Sequence, residues 1–127
     1  MKPREGMLRL KRFQVEEKRR QVAQIEAMIA EFDRMAKELN DQVLAEQERS
    51  GIRDAGHFAY PTFAKAATQR RDNLTASEKS LQDQLARAKA AYDEATAELE
   101  KAEAIAERDQ AAANDRHAPG HKAEARA

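Results

Sequence analysis

The sequence predicts an all-α fold: a long antiparallel coiled-coil hairpin of two helices. Three observations carry the prediction. Glycines and prolines are confined to the two ends and one central stretch. Apolar residues recur at heptad spacing on both sides of that stretch. The composition suits exposed helices and denies a globular core: 27 of the 52 hydrophobic residues are alanine and only six residues are aromatic. A bias toward Ala, Glu, Lys, Leu and Arg is what long helices and coiled coils use.

The helix breakers set the elements. They are Pro3, Gly6, Gly51, Gly56, Pro61, Pro119 and Gly120. Proline and glycine cost about 3 and 1 kcal/mol in a helix interior, so breaker-free runs read as helices. The expected elements are a helix over about 7–50, a tip over 51–61 and a helix over about 62–110. At 1.5 Å per residue the two helices would span about 65 Å and up to about 80 Å. Gly51 suits a left-handed stop after the first helix. Pro61 suits the first turn of the second. Asp54 could cap a short extra turn. So short a connection favours antiparallel neighbours. Residues 111–127, alanine-rich and ending past Pro119-Gly120, are expected to form a disordered tail.

The apolar pattern supports pairing. In the first helix the heptad a positions are Leu8, Val15, Val22, Ile29, Ala36 and Val43, and the d positions are Lys11, Lys18, Ile25, Phe32, Leu39 and Glu46. In the second helix a is Arg71, Glu78, Leu85, Tyr92, Leu99 and Ala106, and d is Ala67, Leu74, Leu81, Ala88, Ala95 and Ala102. A 3.5-residue period held this long implies a left-handed supercoil. Two apolar positions in seven make a narrow seam. Antiparallel layers pair a with d, and two registers satisfy this. The favoured one sets Ile25 against Tyr92, Phe32 against Leu85, Val43 against Leu74 and Glu46 against Arg71. The other slides the second helix by one heptad and leaves Arg71 facing Leu39. The seam weakens toward the termini, where Lys11 and Lys18 have modest partners.

Charge fits the fold-back. The chain carries 23 basic and 23 acidic residues. Residues 1–20 hold eight basic and three acidic residues, and residues 88–110 hold three basic and seven acidic. Basic groups at a helix N-terminus and acidic ones at a C-terminus oppose the helix dipole. Folding back lays each segment beside its counter-charge.

Several function classes find no support in these residues. The chain contains no cysteine, which removes thiolate metal sites and disulfides. The four glycines are isolated, and no Gly-Lys-Ser/Thr cradle for phosphates occurs. His117 and His121 have metal-ligand spacing, but Pro119 and Gly120 lie between them and break the helix that would align them. A two-helix coil has no natural concavity for catalysis, so no enzyme activity, cofactor or metal is expected. No apolar run reaches the roughly 20 residues of a membrane span, and no secretory leader is expected from the charged first ten residues. Nucleic-acid binding is not expected either, because acidic residues should lie beside the basic ones.

Two features stand above this background. Phe58, Tyr60 and Phe63 place half of the aromatics within six residues at the tip, off the seam. They either plug the turn or anchor a partner. The second feature is the basic strip Arg9, Lys11, Arg12, Lys18, Arg19 and Arg20. Its charge suits nucleic acid, an acidic membrane surface or an acidic protein channel.

The stretches Leu10-Lys11-Arg12-Phe13-Gln14-Val15-Glu16-Glu17-Lys18-Arg19-Arg20, Gln24-Ile25-Glu26-Ala27-Met28-Ile29-Ala30 and His57-Phe58-Ala59-Tyr60-Pro61-Thr62, followed by Ala64-Lys65 and Gln69-Arg70-Arg71, resemble the flagellar export protein FliJ family in its alphaproteobacterial form. The resemblance covers roughly residues 7–108. The tip sequence is its more specific part, since heptads do not dictate it. The resemblance implies a cytoplasmic component of the flagellar type III export apparatus, peripherally associated with the inner membrane and serving flagellum biogenesis and motility. It implies a coiled-coil stalk in the hexameric export ATPase ring, which also contacts the membrane export gate protein and export chaperones. Under it, Arg9 to Arg20 with Glu100 to Arg108 would meet the ring, and Phe58, Tyr60 and Phe63 would meet the gate. The alternatives are a homo-oligomeric coiled-coil scaffold or adaptor, and a coiled-coil arm separated from a nucleic-acid enzyme.

Overall fold

The computed structural model describes residues 3–116 of the 127. It is an all-α two-helix hairpin, and no strand occurs among the described residues. Helix α1 is Pro3–Ser50 and helix α2 is Thr62–Arg116.

The helix ends differ from expectation in two places. Helix α1 begins at Pro3, not near Met7, and carries Gly6 in its second turn. Proline at a first helical position gives up an N–H that has no intrahelical acceptor there, so the helix loses nothing by including it. Helix α2 runs past residue 110 to Arg116, so residues 111–116 of the expected tail are helical. Alanine has the highest helix propensity, and Ala111 to Ala113 continue the last turn. Gln110 Nε2 donates to Asn114 Oδ1 at 3.1 Å, and Arg116 Nε reaches the Ala112 carbonyl at 3.4 Å. The remainder of the expected tail, with His117 and His121, lies outside the described residues.

Every heptad a and d position named above is buried or half-buried. The reason is geometric, since a 3.5-residue period keeps one stripe of each helix turned toward its neighbour.

The chain divides into two compact units, each built from a segment of both helices. Unit 2, Arg20–Lys89, holds all six residues that are buried among those described: Leu39, Val43, Ala64, Ala67, Leu81 and Ala88. Leu39, Val43 and Ala67 form one cluster, with Leu74 packed against it. Half of this core is alanine, so the helices can approach closely there. No large side chain among the described residues is completely enclosed.

The favoured register is corrected in this unit. Arg71 does not meet Glu46. Its Nη1 donates to Asn40 Oδ1 at 2.7 Å, next to Leu39, while Nε and Nη2 reach Asp72. Glu46 pairs with Arg49 on its own helix. The pattern matches the other register, in which Arg71 faces Leu39. A flexible guanidinium can bend out of an apolar layer and bond a neighbouring amide, so burying Leu39 and Val43 against Ala67 outweighed one seam ion pair.

Unit 1 combines residues 3–19 with residues 90–116. None of its described residues is buried, as the weak terminal seam leads one to expect. Interhelical ion pairs join its segments instead: Arg4 to Asp109 at 2.8 Å, Arg12 to Glu103 at 3.5 Å and Lys11 to Glu98 at 3.8 Å. Within α1, the hydrogen bond and charge of Glu16 raise the pKa of Arg19 above its ordinary value. Exposed pairs contribute only about 0 to 1 kcal/mol each.

Intrahelical pairs shift several ionisations. The hydrogen bond from Arg34 holds the Glu31 carboxyl below its ordinary value, and the one from Arg49 does the same for Glu46. A depressed carboxyl pKa adds stability that is present above the unfolded value and is lost as pH falls through the folded one. The melting temperature is therefore expected to stay level between about pH 6 and 8 and to slope down gently below about pH 4. Circular dichroism melts check this, and an unchanged melt in strong acid would show that these exposed pairs contribute nothing.

Candidate functional site

The interhelix turn, residues 51–61, is held by local bonds that its sequence dictates. Gly51 has φ of 74°, the left-handed stop expected of it, and its N–H donates to the Gln47 carbonyl at 2.9 Å. Asp54 does not cap a helical turn. Its Oδ1 accepts the Gly56 N–H at 2.9 Å, an Asx-turn. The Asp54 carbonyl accepts the His57 N–H at 3.0 Å, and the His57 carbonyl accepts the Tyr60 N–H at 3.0 Å. Pro61 sits one residue before α2, where its carbonyl accepts the Lys65 N–H at 3.1 Å.

The three tip aromatics part company on this frame. Tyr60 is half-buried, and its hydroxyl accepts a hydrogen bond from Gln47 Nε2 at 2.9 Å. It latches the turn to the end of α1, which is the plug role. Phe58 is 96% exposed, which is the anchor arrangement. Phe63, in the first turn of α2, is 55% exposed. Phe58 is not loose, because His57 stacks on it with ring centroids 4.7 Å apart. His57 is itself fixed, since its Nδ1 accepts the Ala59 N–H at 3.0 Å. That bond requires Nδ1 to be unprotonated, so a neutral ring carries its proton on Nε2.

The basic strip divides as well. Lys11 and Arg12 are engaged with Glu98 and Glu103 of α2, and Arg19 with Glu16 of its own helix. Arg20, the first residue of unit 2, is also engaged. Arg9 is exposed and Lys18 half-buried, and neither forms an ion pair among the described residues. The strip is thus mostly internally compensated, as the acidic segment of α2 allows.

One feature escaped the heptad reading. Met7, Leu10 and Phe13 are 58%, 55% and 57% exposed, large apolar side chains three residues apart on α1. The signal was present in the sequence: all three fall outside the a and d positions, where a two-helix seam needs nothing large. On α2, Ile105 is 44% exposed and, with Met7, Leu8 and Ala102, lines an open apolar groove of unit 1.

Among the described residues there is no group of three or more potential metal ligands, and no helix is long and apolar enough to cross a membrane. The surfaces on offer are therefore an anchored, solvent-facing aromatic and exposed apolar residues beside compensated charges. Comparison with protein-family models, with curated proteins and with solved structures yields no match.

Proposed function

We propose that the chain acts as a coiled-coil stalk of the flagellar type III export apparatus, as its resemblance to the FliJ family implies. The supporting observation is an antiparallel two-helix hairpin whose hydrogen-bonded turn holds Phe58 almost wholly in solvent. Burying a phenylalanine is worth about 1.5 to 3 kcal/mol, so one fixed in water is a ready anchor for a partner. Tyr60 keeps the turn shut, and Phe58 and Phe63 engage the membrane export gate protein. The unit containing Arg9, Lys11, Arg12, Lys18 and Arg19 engages the hexameric export ATPase, with Met7, Leu10 and Phe13 adding apolar contact. Export chaperones are further partners. The chain works in the cytoplasm, peripherally at the inner membrane, and has no chemistry of its own. Its action is allosteric: by binding assembled ATPase subunits better than free ones, it shifts them toward the hexamer, and the hexamer binds it more tightly in return.

Titration of the full chain into the purified export ATPase is expected to promote hexamers and raise turnover. Arg9→Glu breaks no ion pair among the described residues and is expected to weaken this stimulation several-fold, most at low salt, where the charge is least screened. Turnover and assembly that ignore the chain would remove the proposal. A second function, a homo-oligomeric scaffold, is favoured by the exposed Met7, Leu10 and Phe13. A chain that dimerises in sedimentation equilibrium and leaves the ATPase untouched would decide for it.

A further inference from the structure

His57 holds two neighbours at once. Its Nδ1 accepts the Ala59 N–H at 3.0 Å, and its ring lies on that of Phe58 with centroids 4.7 Å apart and planes 22° from parallel. His57 and Ala59 are both exposed, so water can replace either partner when their bond opens. The bond has one chemical condition, that Nδ1 carries no proton. A protonated imidazole has an N–H on both nitrogens, and in this geometry the Nδ1–H would point at the Ala59 N–H, donor against donor.

We infer that His57 is a proton-operated catch on Phe58: the neutral ring, tied to the Ala59 N–H, keeps the aromatic in one place, and the protonated ring leaves Ala59 and frees it. Histidine is the only side chain in this protein that ordinarily changes charge between about pH 5 and 8, since cysteine is absent. The charged groups beside it are Arg53 and Asp54 in the turn, Glu46, Glu48 and Arg49 at the end of α1, and Lys65 at the start of α2. They are three of each sign, and among the described residues none bonds the His57 ring. Glu46 is paired with Arg49, and the Asp54 carboxylate receives the Gly56 N–H. The Tyr60 hydroxyl is engaged with Gln47. The Ala59 N–H is therefore the contact that answers a proton on His57. An imidazolium still lies well on an aromatic face, so the two rings can stay stacked only by moving together away from Ala59. The rest of the turn is indifferent to the proton. Gly51 to Gln47, Gly56 to Asp54 and Gln47 to Tyr60 are bonds without an imidazole, and His57 bonds Asp54 and Tyr60 through its backbone alone. The catch is thus local: the aromatic loosens while the helices and the closure of the turn persist. It rests on the geometry of the turn and stands or falls apart from the export function.

The test is nuclear magnetic resonance of the isotopically labelled full chain between about pH 8 and 5. At the upper end His57 Nδ1 should give the signal of an unprotonated ring nitrogen and Nε2 that of a protonated one. As pH falls, the Ala59 amide signal should move in step with His57. Its protection against hydrogen exchange, corrected for the pH dependence of exchange itself, should drop about fivefold, the worth of one ordinary hydrogen bond. His57→Asn supplies a side chain that does not titrate, whose Oδ1 can accept the same N–H as an Asx-turn. It also separates the His57 signals from those of His117 and His121. In this variant the Ala59 amide should stay protected throughout. The chain contains no tryptophan, so Phe58→Trp supplies a lone reporter of ring motion. Its fluorescence anisotropy should fall with pH, and should hold steady when His57→Asn is added. Helical circular dichroism should stay level across the range. An Nε2 without its proton at the upper end, an Ala59 amide that ignores the His57 titration, or the same pH response in His57→Asn would each overturn the catch. A loss of helicity in step with the Ala59 change would overturn it too, since the event would then be unfolding. None of these outcomes touches stimulation of the ATPase, by which the export proposal is judged.

Discussion

Leu39→Ala is expected to unfold much of the hairpin at ambient temperature. Leu39 is 8% exposed and belongs to a buried cluster with Val43 and Ala67. Truncating a buried leucine costs about 2 to 5 kcal/mol through lost transfer energy and the cavity left behind. A core of six residues, half of them alanine, has little to spare. The loss should appear as a large fall in helical circular dichroism at ambient temperature and a lower urea midpoint. Leu99→Ala, at the half-buried seam of unit 1, should cost clearly less. Equal losses at the two positions would contradict the concentration of burial in Arg20–Lys89.

Phe58→Ala and Tyr60→Phe are expected to separate binding from stability. Phe58 makes almost no contact that folding depends on, so its removal should leave the melt in place. If it anchors the gate protein, capture by the detergent-solubilised protein should fall at least about tenfold, the loss usual for a central aromatic at an interface. Tyr60→Phe keeps the ring and deletes the hydroxyl that accepts from Gln47. It should cost about 1 kcal/mol of stability and leave capture nearly intact. A lowered melt with Phe58→Ala, or equal capture by both variants, would return Phe58 to a structural role in the turn.

How much of this was legible in advance varies with the range of the interaction. The left-handed Gly51 follows from the steric freedom of glycine and needs no tertiary information. The pairing of basic with acidic segments was foreseen as charge balance, and Arg4, Lys11 and Arg12 realise it. The candidate surfaces were legible as residues but not as roles. Phe58, Tyr60 and Phe63 are alike in sequence, and only a turn folded by Asp54 and Gly56 could put Tyr60 against Gln47 and Phe58 into solvent. Met7, Leu10 and Phe13 lie outside the a and d positions, so the heptad pattern gives them no role.

The amino-acid order alone determined the number of helices, their approximate ends and which stripe of each turns inward. Those are properties of single helices: breaker cost and a 3.5-residue period act within a few turns. The register had to wait for the tertiary structure, because a heptad seam repeats itself every seven residues and looks alike after a slide of that length. The choice between the two slides rested on close packing of Leu39 and Val43 against Ala67, and Arg71, long and flexible, accommodated whichever neighbour that packing left it.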